Sequence, residues 1–147
     1  MRLGIIGLPN SGQTTLFNAL TRSELPTEPV SSGQLELHTA VVAVPDERVD
    51  RLAAVYHPKK TTYATVTYTD IGGLDKGIGE GGLTGPMRNE LQQVDGFLHV
   101  VRAFTDENVP HPHETVDPLR DLHIIDGEFL LLDQITIENR PARLAEE

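Results

Sequence analysis

The chain has 147 residues, enough for one domain with a real core. Its net charge is −10 and its pI is about 4.9, a poor balance for a protein that binds nucleic acid by neutralising phosphates. Direct DNA binding is therefore not expected, and any RNA contact needs a local basic patch. There is no cysteine, which excludes a disulfide framework and thiolate metal sites. No run approaches the roughly 18 apolar residues of a membrane span. The short apolar start Leu3–Leu8 is interrupted by glycines and does not read as a signal peptide. A cytoplasmic setting is expected.

In chain order, residues 2–6 carry Leu3, Ile5 and Ile6 and read as a buried strand. Residues 13–22 place Leu16, Phe17 and Leu20 on one face of a helix. Between them lies Gly7-Leu8-Pro9-Asn10-Ser11-Gly12-Gln13-Thr14-Thr15, which fits the phosphate-loop pattern G-x-x-x-x-G-K-[ST] at every fixed position except the lysine. Strand, glycine loop and helix N-terminus together make a nest of backbone N–H groups suited to phosphates. Pro9, Asn10, Ser11, Gly12, Gln13, Thr14 and Thr15 are the candidate nucleotide contacts. Thr14 sits where a hydroxyl would ligate Mg²⁺. Gln13 replaces the lysine that bridges the β- and γ-phosphates. An amide donates a hydrogen bond but carries no charge, and the difference corresponds to about tenfold or more in affinity.

Residues 23–36 are rich in Pro, Ser, Glu and Gly and read as a mobile loop, where a nucleotide-sensing switch would lie. His38 to Val44 reads as a strand ended by Pro45. Asp46 caps a helix with Val49, Leu52, Ala53 and Tyr56 on one face, stopping at His57-Pro58. Thr61 to Thr69 alternates as a strand, ended by Asp70. Asp70-Ile71-Gly72-Gly73 reads D-x-x-G: the aspartate holds Mg²⁺ and the Gly73 N–H senses the γ-phosphate. The glycine-rich stretch 75–85 reads as a second switch. Pro86 to Val94 is expected to be a helix, Phe97 to Val101 a buried strand, and 105–118 a polar loop. Leu119 to Ile125 is a short helical or extended element, and Gly127 to Ile137 an apolar helix. Pro141 interrupts the pattern before a charged tail.

Buried strands alternating with helices predict an α/β domain with a mostly parallel sheet. Ligands in such sheets sit beyond the carboxyl ends of the strands. Gly7 and Asp70 both lie at such ends, so the two motifs can converge. His111-Pro112-His113-Glu114 offers metal-capable side chains but lacks a fixed ligand spacing, and it reads as an ordinary loop. Lys59-Lys60 and Arg140/Arg143 are the close basic pairs and read as solvated surface. No spacing of a serine or zinc hydrolase is present.

Gly7 to Gly12, Leu16-Phe17-Asn18-Ala19-Leu20-Thr21, Val44-Pro45-Asp46-Glu47-Arg48-Val49-Asp50, Asp70-Ile71-Gly72-Gly73-Leu74 and His99-Val100-Val101-Arg102-Ala103-Phe104 resemble, in order, the YchF family of Obg-like ATPases. The resemblance covers nearly the whole chain. It implies a P-loop NTPase-like three-layer sandwich that binds GTP or ATP with Mg²⁺ and associates with ribosomes. It places Leu74 where many GTPases carry a catalytic glutamine. It matches Asn10 to a phosphate-loop asparagine that in some related GTPases helps hold K⁺. The family's switch threonine aligns near Gln34. The base-recognition motif and C-terminal domain are expected beyond residue 147. Residues 1–126 thus read as the N-terminal part of a G domain, incomplete at its C-terminus, and 127–147 as the start of a helical insertion or a C-terminal helix and tail. Two other readings remain: a pseudo-GTPase that keeps the fold as a scaffold without hydrolysis, and an unrelated P-loop kinase, for which no acceptor site or arginine lid is visible.

Overall fold

The computed structural model describes residues 1–27, 37–72 and 85–146. Eight elements follow one another: β1 (Arg2–Gly7), α1 (Gln13–Thr21), β2 (Leu37–Ala43), α2 (Glu47–Tyr56), β3 (Thr65–Ile71), α3 (Gly85–Leu91), β4 (Gly96–Val100) and α4 (Pro118–Glu146). The strands form one sheet in the order β2-β3-β1-β4. β1 pairs in parallel with both β3 and β4, while β2 runs antiparallel along β3. The mostly parallel sheet expected from the alternation is therefore present, with an antiparallel strand at one edge.

Side-chain alternation sends β1 residues to opposite faces. Ile6 and Ile71, neighbours in the sheet, join Leu8, Leu91 and Ile125 in one core under α4. Phe129 of α4 packs on Phe97 of β4, ring centroids 5.0 Å apart. Phe17 of α1 is also fully buried, as is Ile5. Each such side chain contributes about 1.5–3 kcal/mol by leaving water. Thr69, polar and buried in β3, is satisfied by Thr39 Oγ1 at 3.2 Å and Arg2 Nε at 3.5 Å.

Several boundaries differ from the sequence reading. β3 begins at Thr65 rather than Thr61 and ends one residue past Asp70. α3 stops at Leu91. The largest difference is α4, a single helix from Pro118 to Glu146 that contains Pro141. A proline inside a helix loses one hydrogen bond and crowds the carbonyl four residues back. Arg140, Ala142, Arg143 and Leu144, all good helix formers, flank Pro141, and the helix continues past the proline. The two switch assignments fall largely on 28–36 and 73–84, outside the described residues; so do Gln34, Gly73 and Leu74.

Candidate phosphate-binding site

The site starts from β1. Gly7 ends it where two segments of the backbone nearly touch. A Cβ there would stand 2.4 Å from the Val100 carbonyl oxygen, 2.6 Å from Ser11 Oγ and 2.9 Å from Gln13 Nε2. Only glycine fits beneath this loop. Asn10 takes a positive φ of 62° and Gly12 one of 102°. A hydrogen bond from Ser11 N to Leu8 O (3.1 Å) closes the turn, and one from Leu16 N to Gly12 O (2.9 Å) opens α1. Gly12 caps that helix without a side-chain acceptor. The first-turn amides of Gln13, Thr14 and Thr15 are thus left to meet an anion.

Asp70 reaches the site from the end of β3. It is buried, and its Oδ2 accepts a hydrogen bond of 2.8 Å from the Thr14 hydroxyl. The two residues assigned to Mg²⁺ are therefore adjacent in space. Nearby, Ser11 Oγ and Gln13 Nε2 are buried without a hydrogen-bond partner. Both atoms lie close against Gly7, so the underside of the loop carries two polar groups that the rest of the described fold does not pair. Asn10, Ser11, Gly12, Gln13, Thr14 and Thr15 line a cavity of about 310 Å³, with Thr27, Phe104 and Val109 on its other walls. Pro9 is in the loop but does not line the cavity.

The far wall was not found by sequence reasoning. Arg102 follows β4 and is buried to 3% exposure. Its guanidinium donates to the carbonyls of Val109 (2.9 Å), Phe104 (3.2 Å), Pro110 (3.3 Å) and Asp106 (3.4 Å). Its Cζ also lies 4.6 Å from the centre of the Phe104 ring. A five-donor planar group suits this task, since it can gather several carbonyls at once. Asn10 Nδ2 donates to Pro110 O at 2.9 Å, which ties the phosphate loop to this wall. On the near side, Asn18 holds Leu25 by both its backbone N–H and its carbonyl, at 3.1 and 2.9 Å. That clasp precedes Thr27. A charged residue just past a strand's carboxyl end was the available signal for Arg102.

His111 follows the same loop. Among the described residues no cluster of three metal-capable side chains occurs. Its Nδ1 accepts from His113 N at 3.0 Å, so Nε2 carries the proton and donates to Asp121 Oδ2 at 2.9 Å. Both side chains are buried. Burial pushes the Asp121 carboxyl up, but hydrogen bonds from Arg120 and His111 outweigh it, and the net shift is downward. This pair anchors the loop to α4.

A strand, a glycine loop, an uncapped helix start and a strand-end aspartate bonded to the helix's threonine define a P-loop nucleotide-binding domain. The chain belongs to the family described as 50S ribosome-binding GTPase, whose model matches residues 2–131. It is 39% identical over 143 residues to the ribosome-binding ATPase YchF of Bacillus subtilis, covering 97% of this chain and 39% of that protein. It is 40% identical over 141 residues to Obg-like ATPase 1 of Oryza sativa subsp. indica, covering 95% and 36%. Among solved structures, the YchF GTPase of Schizosaccharomyces pombe matches with a TM-score of 0.72 and 38% identity, over 99% of this chain and 39% of that one. The chain thus spans about two fifths of the length of these relatives. Among the described residues no helix is long and apolar enough to cross a membrane.

Proposed function

We propose that this chain is the phosphate-holding part of a YchF-like, ribosome-associated NTPase that works in the cytoplasm, with residues 1–126 as the N-terminal part of its G domain and 127–147 as the start of a helical extension. The observation that carries the reading is the 2.8 Å bond between Thr14 and Asp70 at the start of an uncapped helix. The amides of residues 10–15 would surround the β- and γ-phosphates of GTP or ATP. Thr14 and Asp70 would hold Mg²⁺, which neutralises phosphate charge when bound. Gly73 N–H would meet the γ-phosphate, and Asn10 is the residue assigned to K⁺. Phe104 and Val109 give the cavity an apolar wall.

Gln13 sets the strength of this site. Its amide replaces a charge-assisted contact, worth about 1.5–3 kcal/mol, with a neutral one of about 1 kcal/mol. Leu74, at the usual glutamine place, cannot orient water, and Gln34 is a poor substitute for a metal-binding threonine. Binding is therefore weak and turnover essentially absent in this chain. The pseudo-GTPase reading is the limit of that argument, and the missing lysine charge at Gln13 is what supports it. Calorimetry with ATP and GTP, with and without Mg²⁺, tests both. Weak binding that strengthens with Mg²⁺ and loses this gain in Asp70→Ala is expected. Sub-micromolar affinity, or phosphate release near one per minute abolished by Asp70→Ala, would overturn the weakened-site reading.

A further inference from the structure

The chain is acidic, with 22 Asp and Glu against 12 Lys and Arg, but the acids are not evenly spread. From Arg51 to Thr69 there is no Asp or Glu. The same stretch contains Lys59, Lys60 and all three tyrosines of the chain. Its first part lies on the surface. α2 ends at Tyr56, which is 76% exposed. His57 turns the chain with a φ of 46°, its N–H bonded to Ala53 O at 2.9 Å. Pro58, Lys59 and Lys60 follow, all exposed, on the way to β3.

The acids nearest in sequence are already engaged. Asp46 pairs with Arg48 at 2.7 Å and Glu47 with Arg51 at 3.2 Å. Asp50 accepts from the Tyr63 hydroxyl. Among the described residues, Lys59 and Lys60 make no ion pair. This surface lies at the opposite end of the sheet from the phosphate loop. β3 separates Thr65 from Asp70 by about 16 Å, at about 3.3 Å per residue.

Two exposed lysines that make no ion pair among the described residues follow within four positions of an exposed phenol ring, the residue types that hold single-stranded nucleic acid, phosphates by charge and a base by stacking. The chain as a whole carries a net charge of −10, which opposes a polyanion. A phosphate backbone can approach such a protein only where the acids are absent or neutralised. We propose that the end of α2 and the turn into β3 form a contact face for single-stranded RNA, with Lys59 and Lys60 on phosphates and Tyr56 stacked on an unpaired base. The inference rests on the ribosome association proposed above and gives it a location.

Two arms test it separately. In the first, the whole chain is titrated into fluorescein-labelled oligouridine at several salt concentrations. Lys59→Ala/Lys60→Ala should weaken binding about tenfold at low salt and lower the salt slope by about 1.4, roughly 0.7 per phosphate contact on a single strand. Tyr56→Ala should weaken it about tenfold with the slope unchanged. Unchanged circular dichroism shows that the variants fold. In the second arm, the same proteins are sedimented with salt-washed bacterial ribosomes. Loss of both oligouridine and ribosome binding in the lysine variant supports the proposal. No oligouridine binding by the unmodified chain, or binding insensitive to the lysines, overturns the RNA assignment whatever the ribosomes do. Lysine-dependent oligouridine binding without ribosome binding keeps the RNA face and removes the ribosome reading. Ribosome binding that depends on the lysines without oligouridine binding would instead mean an acidic protein partner, and would also overturn the RNA assignment.

Discussion

Residues 7–13 and 102–110 meet across one cavity, yet they treat their buried polar groups in opposite ways. In the second loop, four carbonyls converge on one buried guanidinium, and the scaffold satisfies itself. In the first, Ser11 Oγ and Gln13 Nε2 are buried with no partner. The contrast separates a loop whose polar groups are paired by the fold from one that leaves two of them unpaired. A supporting loop must be stable alone, so each polar group is paired within it. A binding loop keeps groups unpaired, because pairing them internally would compete with the ligand.

That contrast can be broken from either side. The largest effect is expected from the supporting loop. Arg102→Met keeps the volume but removes the buried donor shared by four loop carbonyls, and should cost about 3 kcal/mol or more in urea unfolding. It should also weaken nucleotide binding, since the Phe104 and Val109 wall loses its anchor. A loss under about 1 kcal/mol would mean that the guanidinium is not what holds the loop.

Gly7→Ala should follow, costing about 2 kcal/mol through the clash with the Val100 carbonyl. Phosphate binding should vanish with it. Gly12→Ala is the control: a Cβ there meets nothing within 4 Å, so only the strain of φ 102° remains, about 1–2 kcal/mol. Equal losses at both positions would remove the close-approach argument.

Gln13→Lys sharpens the comparison by filling the gap in the binding loop. Triphosphate affinity should rise about tenfold or more, and diphosphate affinity by less, because the new charge lies between the β- and γ-phosphates. Equal gains in calorimetry would show that the loop does not hold phosphates in the expected register.

The smallest effect concerns His99 in β4. Burial lowers its affinity for a proton, opposed in part by the charge of Asp126. An unfolded histidine takes its proton near 6.5, while the folded His99 takes it only at lower pH. In that window the unfolded state binds more protons, so stability is present above it and is lost as pH falls through it. The melting temperature should drop slightly between about pH 7 and pH 5.5, and His99→Gln should flatten part of that slope. An unchanged slope in the variant would place the effect on other histidines.

The phosphate loop was legible in the sequence because every part of it is local. Gly7, Gly12 and Thr14 work through backbone φ values and helix register that a few consecutive residues define. The strand ends at Gly7 and Asp70 were legible for the same reason, from apolar runs closed by turn residues. Their meeting followed from the general rule for parallel sheets, and the Thr14–Asp70 bond is its outcome. Arg102 was quoted only as part of a motif. Its role depends on four carbonyls that a loop brings together after folding, and no periodicity encodes that. The pairing of His111 with Asp121 likewise joins a loop to a helix face that only packing brings into contact. Pro141 shows the reverse limit: a strong local breaker lies inside a helix that runs on past it. Short-range sterics and hydrophobic spacing determined the elements and the anion nest. Tertiary closure alone decided which buried polar groups found partners in the scaffold and which did not, because those partners come from distant parts of the chain.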